Sequence, residues 1–204
     1  MCSERLLTPE EIDDLPDLEY LVQGVLPEKS FCVLYGEPGS GKTFIALSLA
    51  LTCTTGKPWI GRETRCARIL YAAAEGVLGI KYRLRAYRQR NEIAPGAVRF
   101  YVASLQITDR DAVGSLRSDL KAAEFEPDLI ILDTLARVSV GKDENSAKDM
   151  GEIVAGIDAL RREHNAAVLV IHHTRKDGNS ERGSSALRGA ADVMIECTNT
   201  GARY

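Results

Sequence analysis

Apolar residues along this chain fall into short continuous runs that alternate with longer runs of helical period. Two short runs, 129–132 and 167–171, contain no polar residue, which is typical of parallel strands covered on both faces. In a longer run, Ile80, Leu84 and Tyr87 share one helical face. The predicted strands are 30–35, 68–73, 98–103, 129–133, 167–172 and 192–197. The predicted helices are 42–55, 77–91, 110–124 and 146–164.

This alternation predicts an α/β fold, a mostly parallel twisted sheet with helices on both faces. Ligands bind such sheets at the carboxyl ends of the strands. Residues 1–29 precede the alternating pattern and are acidic and interrupted by prolines. We expect 1–29 to form an N-terminal arm that packs in part and contacts a neighbouring subunit, and 30–204 to form one domain.

A glycine-rich segment joins the first predicted strand of this domain to its first helix. Residues 36–43 read GEPGSGKT, the G-x-x-x-x-G-K-[ST] pattern of a phosphate-binding loop. Its glycines let backbone N–H groups approach phosphate oxygens, and the following helix directs its positive dipole end at them. The residues expected to bind the nucleotide are Gly36, Glu37, Pro38, Gly39, Ser40, Gly41, Lys42, Thr43 and Phe44. Lys42 is expected to reach the β- and γ-phosphates, and the Thr43 hydroxyl to ligate Mg²⁺.

Two carboxylates follow predicted strands. Asp133 ends the run 129–132, where a nucleotide hydrolase needs an acid for Mg²⁺, although the same residue would also suit a cap of the next turn. Asp128 begins that strand and is expected at the opposite edge of the sheet. Glu75 follows the second strand, where it would either polarise the attacking water or be held by the dipole of helix 77–91.

Polar residues also follow the fifth strand. His172 and His173 are neighbours and so point to opposite faces of a strand, which suits a γ-phosphate sensor better than a metal chelate. Segment 175–185 has the composition of a mobile loop. Arg182 and Arg188 are either arginine fingers that reach a nucleotide across a subunit boundary or partners in surface ion pairs.

Charge and apolar content restrict the class of protein. The 26 basic and 29 acidic residues give a net charge of −3, so no overall positive field indicates nucleic-acid binding. Residues 81–90 hold five basic side chains, which form a nucleic-acid or subunit contact or a solvated helix face. No apolar run approaches the roughly 18 residues of a membrane span, no signal peptide is evident, and the cysteines lack metal-ligand spacing. We expect a soluble, cytoplasmic protein with reduced thiols.

Taken together, these segments resemble RecA-fold ATPases of the RepA-like hexameric replicative helicase group of plasmids and phages. The resemblance extends from about residue 18 to residue 196. It rests on the following segments: GEPGSGKT at 36–43, TGKPW at 55–59, YAAAEG at 71–76, Leu132 with Asp133, HHTRK at 172–176 and RGSSALR at 182–188.

The resemblance implies a role for each matching position. Lys42 would bind phosphate, Thr43 and Asp133 would hold Mg²⁺, and Glu75 would be the base that activates water. His173 would sense the γ-phosphate, with His172 as the alternative.

The resemblance also implies contacts beyond one subunit. Segment 175–185 would face a DNA channel, and Arg182 and Arg188 would lie near subunit interfaces. Related chains continue past the strand at 192–197 through further strands that often carry a trans-acting arginine or lysine. This chain stops at Tyr204, so it is either C-terminally truncated relative to them or obtains its finger differently.

Residues and resemblance together predict Mg²⁺-dependent ATP hydrolysis coupled to single-stranded DNA, in a hexameric helicase. The alternative is a RecA-type regulatory or recombination ATPase that assembles on DNA or protein without unwinding. A small-molecule kinase is a further alternative, but it would need an arginine-rich lid and an acceptor pocket. Glu75 and the histidine pair fit a site that activates water better. A scaffold that only binds nucleotide would not need Lys42, Thr43, Glu75 and Asp133 together.

Overall fold

A computed structural model of the chain describes residues 6–73, 77–173 and 185–199. The strands are β1 Tyr20–Val22, β2 Leu26–Pro27, β3 Phe31–Gly36, β4 Ile69–Ala73, β5 Val98–Tyr101, β6 Leu129–Asp133, β7 Ala167–His173 and β8 Val193–Glu196. The helices are α1 Pro9–Asp13, α2 Lys42–Cys53, α3 Val77–Arg88, α4 Arg110–Ala122, α5 Leu135–Val138, α6 Ala147–His164 and α7 Ser185–Ala190. None of these helices is long and apolar enough to cross a membrane.

Six strands form one sheet in the order β5-β4-β6-β7-β3-β8, and every neighbouring pair is parallel. Successive residues of each strand enter different hydrophobic clusters. In β7, Leu169 and Ile171 pack with α2 and α3, whereas Val168 and Val170 pack with α4, α5 and α6. The structure therefore confirms a mostly parallel sheet with helices on both faces.

The six strands of the sheet and helices α2, α3, α4 and α6 agree with the sequence prediction apart from their ends, whereas the short helices α5 and α7 were not predicted. β5 ends at Tyr101 rather than 103, because the pairing with β4 stops at Ala72 and Tyr101. Helix α2 ends at Cys53 rather than 55, where Thr54 caps it by donating its N–H and its hydroxyl to the Leu51 carbonyl.

The described part of the N-terminal segment contains two elements that were not predicted. Hairpin β1–β2 places Leu21, Val22 and Leu26 in the cluster shared with α2, each at most 1% exposed. Helix α1 has no buried residue and depends on a capping box, in which Thr8 and Glu11 bond reciprocally. Packing against the domain thus comes from residues 20–27, while residues 6–18 lie outside the core.

Two glycines of α6 provide a matched test of its packing. A Cβ at Gly151 meets no atom within 4 Å, so Gly151→Ala should raise the free energy of unfolding by about 0.5–1 kcal/mol through helix propensity. A Cβ at Gly156 would lie 2.6 Å from the Ile107 carbonyl oxygen, so Gly156→Ala should instead lower it by about 1–3 kcal/mol. Urea denaturation measures both values, and equal stabilisation by the two variants would contradict this close approach.

Candidate active site

A cavity of about 190 Å³ lies at the carboxyl edge of the sheet, where β3 leads through the glycine-rich loop into α2. Its lining residues are Gly39, Gly41, Lys42, Thr43, Phe44, Arg83, Thr134, Ile171 and His173. The cavity is smaller than the roughly 300–1,000 Å³ that is usual for a complete ligand pocket. The described residues therefore enclose a space sufficient for a phosphate chain.

The backbone of the loop is arranged to receive an anion. Gly39 and Gly41 have φ angles of +81° and +94°, in the left-handed region that side-chain-bearing residues rarely adopt. Gly41 is the N-cap of α2 and offers no side-chain cap. The first N–H groups of α2 are therefore available to phosphate oxygens, and the helix dipole adds to the attraction.

The Lys42 ammonium lies inside the loop. Its Nζ donates to the Gly36 carbonyl at 2.9 Å, the Glu37 carbonyl at 2.7 Å and the Ser40 hydroxyl at 3.4 Å. Burial lowers the pKa of this ammonium, and nearby acidic groups, Asp133 among them, oppose the shift. Since an ammonium has three donors, a phosphate that binds here must replace at least one loop contact.

The carboxylate of Asp133 is buried at the end of β6, with 6% of the residue exposed. Tyr71 is fully buried in the neighbouring strand, and its Oη donates to Asp133 Oδ2 at 2.7 Å. Burial and the adjacent carboxylate raise the pKa of Tyr71 well above its ordinary value, so the phenol remains a donor. This contact fixes the orientation of the carboxylate. Asp128 lies at the opposite edge of the sheet, as predicted. There its Oδ2 accepts a hydrogen bond from the Arg68 N–H at 2.7 Å.

The segment after β8 packs directly on the phosphate-binding loop. The Cys197 N–H donates to the Tyr35 carbonyl at 2.8 Å, and its thiol donates to the Ser40 carbonyl at 3.1 Å. A Cβ at Gly36 would lie 2.2 Å from the Cys197 carbonyl oxygen. The first position of the loop therefore requires glycine for steric reasons.

The structure adds Arg83 to the site. Helix α3 places its guanidinium 4.7 Å from the centre of the Phe44 ring, beside the cavity. Arg83 forms no ion pair within the described ranges. It stands in the basic run 81–90, but charge alone did not distinguish it from its neighbours.

Thr134 is a second residue at the cavity that was not predicted from the sequence. Its hydroxyl is buried, lines the cavity and finds no hydrogen-bond partner among the described residues. A buried hydroxyl without a partner costs about 1–3 kcal/mol, which a ligand or water at this position would offset. The available signal was a hydroxyl residue directly after the carboxylate that ends a buried strand.

The two histidines diverge as expected from strand geometry. His173 lines the cavity, whereas the side chain of His172 lies on the opposite face of β7 and is 1% exposed. Across the described ranges, no group of three or more His, Cys, Asp or Glu residues is arranged to hold a metal ion.

The remaining predicted residues lie elsewhere. Glu75, Arg182 and all of segment 175–185 except its last residue fall outside the described residues. Arg188 is exposed on α7, and its guanidinium lies 5.8 Å from the Tyr35 ring centre. It does not line the cavity of its own chain.

Comparison with known proteins agrees with this geometry. The model of a family described as AAA domain matches residues 4–179. No curated protein matches the chain. Among solved structures, the chain is similar to a KaiC-like protein from the hyperthermophilic archaeon Pyrococcus horikoshii OT3, with a TM-score of 0.59 and 13% identity over 90% of this chain and 78% of that chain.

At this identity the structural likeness concerns the fold alone, and it confirms the predicted RecA-like architecture. The family match and the fold together support a P-loop ATPase, whereas neither comparison names the RepA-like helicase group. With its phosphate-binding loop at residues 36–43, the chain belongs to the AAA domain family and has the fold of RecA-type ATPases.

Proposed function

We propose that this protein is a cytoplasmic, Mg²⁺-dependent ATPase whose hydrolysis drives work on single-stranded DNA, as in a hexameric replicative helicase. The observation that carries the hydrolytic part is the position of a buried carboxylate, Asp133, beside the loop that encloses Lys42. The DNA-coupled part is supported by the sequence resemblance.

Residues of the loop bind the phosphates in this proposal. The N–H groups at the start of α2 donate to oxygens of the β-phosphate, and Lys42 exchanges a loop contact for a phosphate oxygen. Thr43 and Asp133 would hold Mg²⁺, since oxygen ligands at a loop threonine and a strand-end acid suit this ion. The ion, when bound, neutralises charge on the β- and γ-phosphates.

Glu75 is the proposed general base. Its placement is supported by Ala73, the last described residue of β4 before it, which pairs with Asp133 in the sheet. Glu75 takes a proton from a water that attacks the γ-phosphorus, and the bond to the bridging oxygen breaks to give ADP and phosphate. His173 would respond to the loss of the γ-phosphate, and Arg182 or Arg188 would reach a neighbour's nucleotide.

Arg83 is proposed to bind the phosphates from within the same chain. Its guanidinium lines the cavity together with Lys42 and is held over Phe44 rather than in an ion pair with any described residue. One guanidinium group can donate two parallel hydrogen bonds to oxygens of the same phosphate. This orients the phosphate as well as neutralising its charge.

The rate of ATP hydrolysis per subunit should increase with protein concentration, because the proposed site is completed by a neighbouring subunit. It should also increase with single-stranded DNA, because hydrolysis is proposed to drive work on that strand. Glu75→Gln should lower the rate by on the order of 100-fold or more through loss of the base. Lys42→Ala should abolish nucleotide binding, and the exposed Lys148→Ala serves as control.

A phosphate-release assay across protein and DNA concentrations measures these effects. A rate per subunit that changes neither with DNA nor with protein concentration would overturn the helicase proposal. It would favour a RecA-type regulatory ATPase instead.

Another prediction concerns Tyr71, which orients the carboxylate of Asp133. Tyr71→Phe preserves the ring but removes the donor, so the Mg²⁺ concentration that half-saturates binding of a fluorescent ATP analogue should rise roughly tenfold. Binding measured without Mg²⁺ should not change. Tyr101→Phe is the control, and an equal change with and without Mg²⁺ would contradict a positioning role.

A separate prediction distinguishes Arg83 from the other basic residues of its segment. Arg83→Gln should weaken binding of ATP about tenfold or more while leaving that of adenosine unchanged, because the proposed contact is to phosphate alone. Arg90→Gln, an exposed change nearby, should leave both affinities unaltered. Isothermal titration calorimetry measures them, and equal losses for ATP and adenosine would refute phosphate recognition.

A further inference from the structure

The N-terminal segment 6–18 and residues 81–90 carry opposite charges of equal size. Segment 6–18 holds five acidic residues and no basic ones, which gives −5 at neutral pH: Glu10, Glu11, Asp13, Asp14 and Asp17. Residues 81–90 hold five basic residues and no acidic ones, which gives +5: Lys81, Arg83, Arg85, Arg88 and Arg90. The two stretches are therefore electrostatically complementary.

Segment 6–18 also exposes apolar side chains to an unusual extent. Its large apolar residues are 40% to 102% exposed: Leu6, Leu7, Ile12, Leu15 and Leu18. Helix α1 within it spans five residues, none of them buried. So short a helix is marginal in water without a partner surface. Its capping box sets the conformation, while its apolar side chains remain uncovered.

A groove between α3 and β5 has a lining whose chemistry complements this segment. Its volume is about 350 Å³, and its floor is apolar, built from Ile80, Leu84, Phe100 and Val102. Its rim is basic, built from Lys81, Arg85 and Arg88. Strand β5 is an edge of the described sheet, so the groove opens at the side of the domain.

We propose that segment 6–18 of one copy docks in the α3–β5 groove of a second copy. Leucine and isoleucine side chains cover the apolar floor, and the acidic residues face the basic rim. Within one chain the two surfaces do not meet, because α1 has no buried residue and Lys81, Arg85 and Arg88 remain exposed. The apolar floor favours a peptide over a nucleic-acid backbone, which would use the rim only.

This contact assigns residues to the subunit interface of the proposed ring, and in that respect it rests on the proposed function. It concerns assembly alone, however, and does not require DNA-stimulated hydrolysis. A measurement of size therefore tests it separately from the catalytic proposal.

Charge reversal on each surface provides the test. The arm variant carries Glu10→Lys, Asp13→Lys and Asp14→Lys, and the groove variant carries Lys81→Glu, Arg85→Glu and Arg88→Glu. Each variant alone should associate at least tenfold more weakly in sedimentation velocity across concentrations. An equimolar mixture should regain association, since each arm then meets a groove of opposite charge on the other variant.

Three exposed basic residues outside the groove give the matched control, a chain with Arg110→Glu, Lys121→Glu and Lys148→Glu, which should assemble like the unaltered protein. Circular dichroism and thermal unfolding check that each variant folds. As a second measurement, a labelled peptide of residues 6–18 should bind the arm variant, whose groove is intact, but not the groove variant, by fluorescence anisotropy.

Several outcomes would overturn the proposal. These are unchanged association in both single variants, no recovery in the mixture, and a monomer at every concentration. If the groove variant assembles normally but no longer binds single-stranded DNA, the groove is a nucleic-acid site instead.

Discussion

The register of the parallel strands β4, β6, β7 and β3 is the constraint on which the site depends. It pairs Gly36 with His173, and Asp133 with both Ile171 and Ala73, so the chain leaves adjacent strands at one edge. A shift by one residue would turn the side chain of Asp133 to the other face of the sheet. Apolar character on both faces would tolerate such a shift, so the register depends on the close packing of particular side chains in the cluster on each face.

Two opposite charges are buried at this edge, and each has specific partners. Lys42 is 4% exposed and bonds to its own loop, and Asp133 is 6% exposed and accepts from Tyr71. An unpaired buried charge would be costly, so these contacts preserve the site before a ligand arrives. They also mean that a phosphate reaching Lys42 exchanges existing hydrogen bonds there, whereas at the start of α2 it meets N–H groups without a side-chain cap. A phosphate oxygen would be a better acceptor for Lys42 than a loop carbonyl, because it carries negative charge.

Much of the fold was predictable from sequence, because burial on both faces leaves an unmistakable apolar run, as at 129–132. The positions of the loop and of Asp133 were predictable because such residues stand at strand ends. The places of Arg83 and Thr134 at the cavity were not, since they depend on which helix face and which strand end meet the loop in space. Helix α1 was missed although its capping box stands in the sequence at Thr8 and Glu11, because its short run lacks a periodic apolar face.

Helix α3 belongs to both surfaces that the structure brings out. Arg83 lies at the cavity, while Lys81, Arg85 and Arg88 form the rim of the groove. A helix moves largely as one body, so a segment that docks against its rim constrains the residue that faces the cavity. Linkage then requires reciprocity: if docking changes nucleotide affinity, nucleotide changes the affinity of docking by the same factor. If the segment docks as proposed, α3 couples assembly to nucleotide binding even where no residue of the neighbour touches the phosphates.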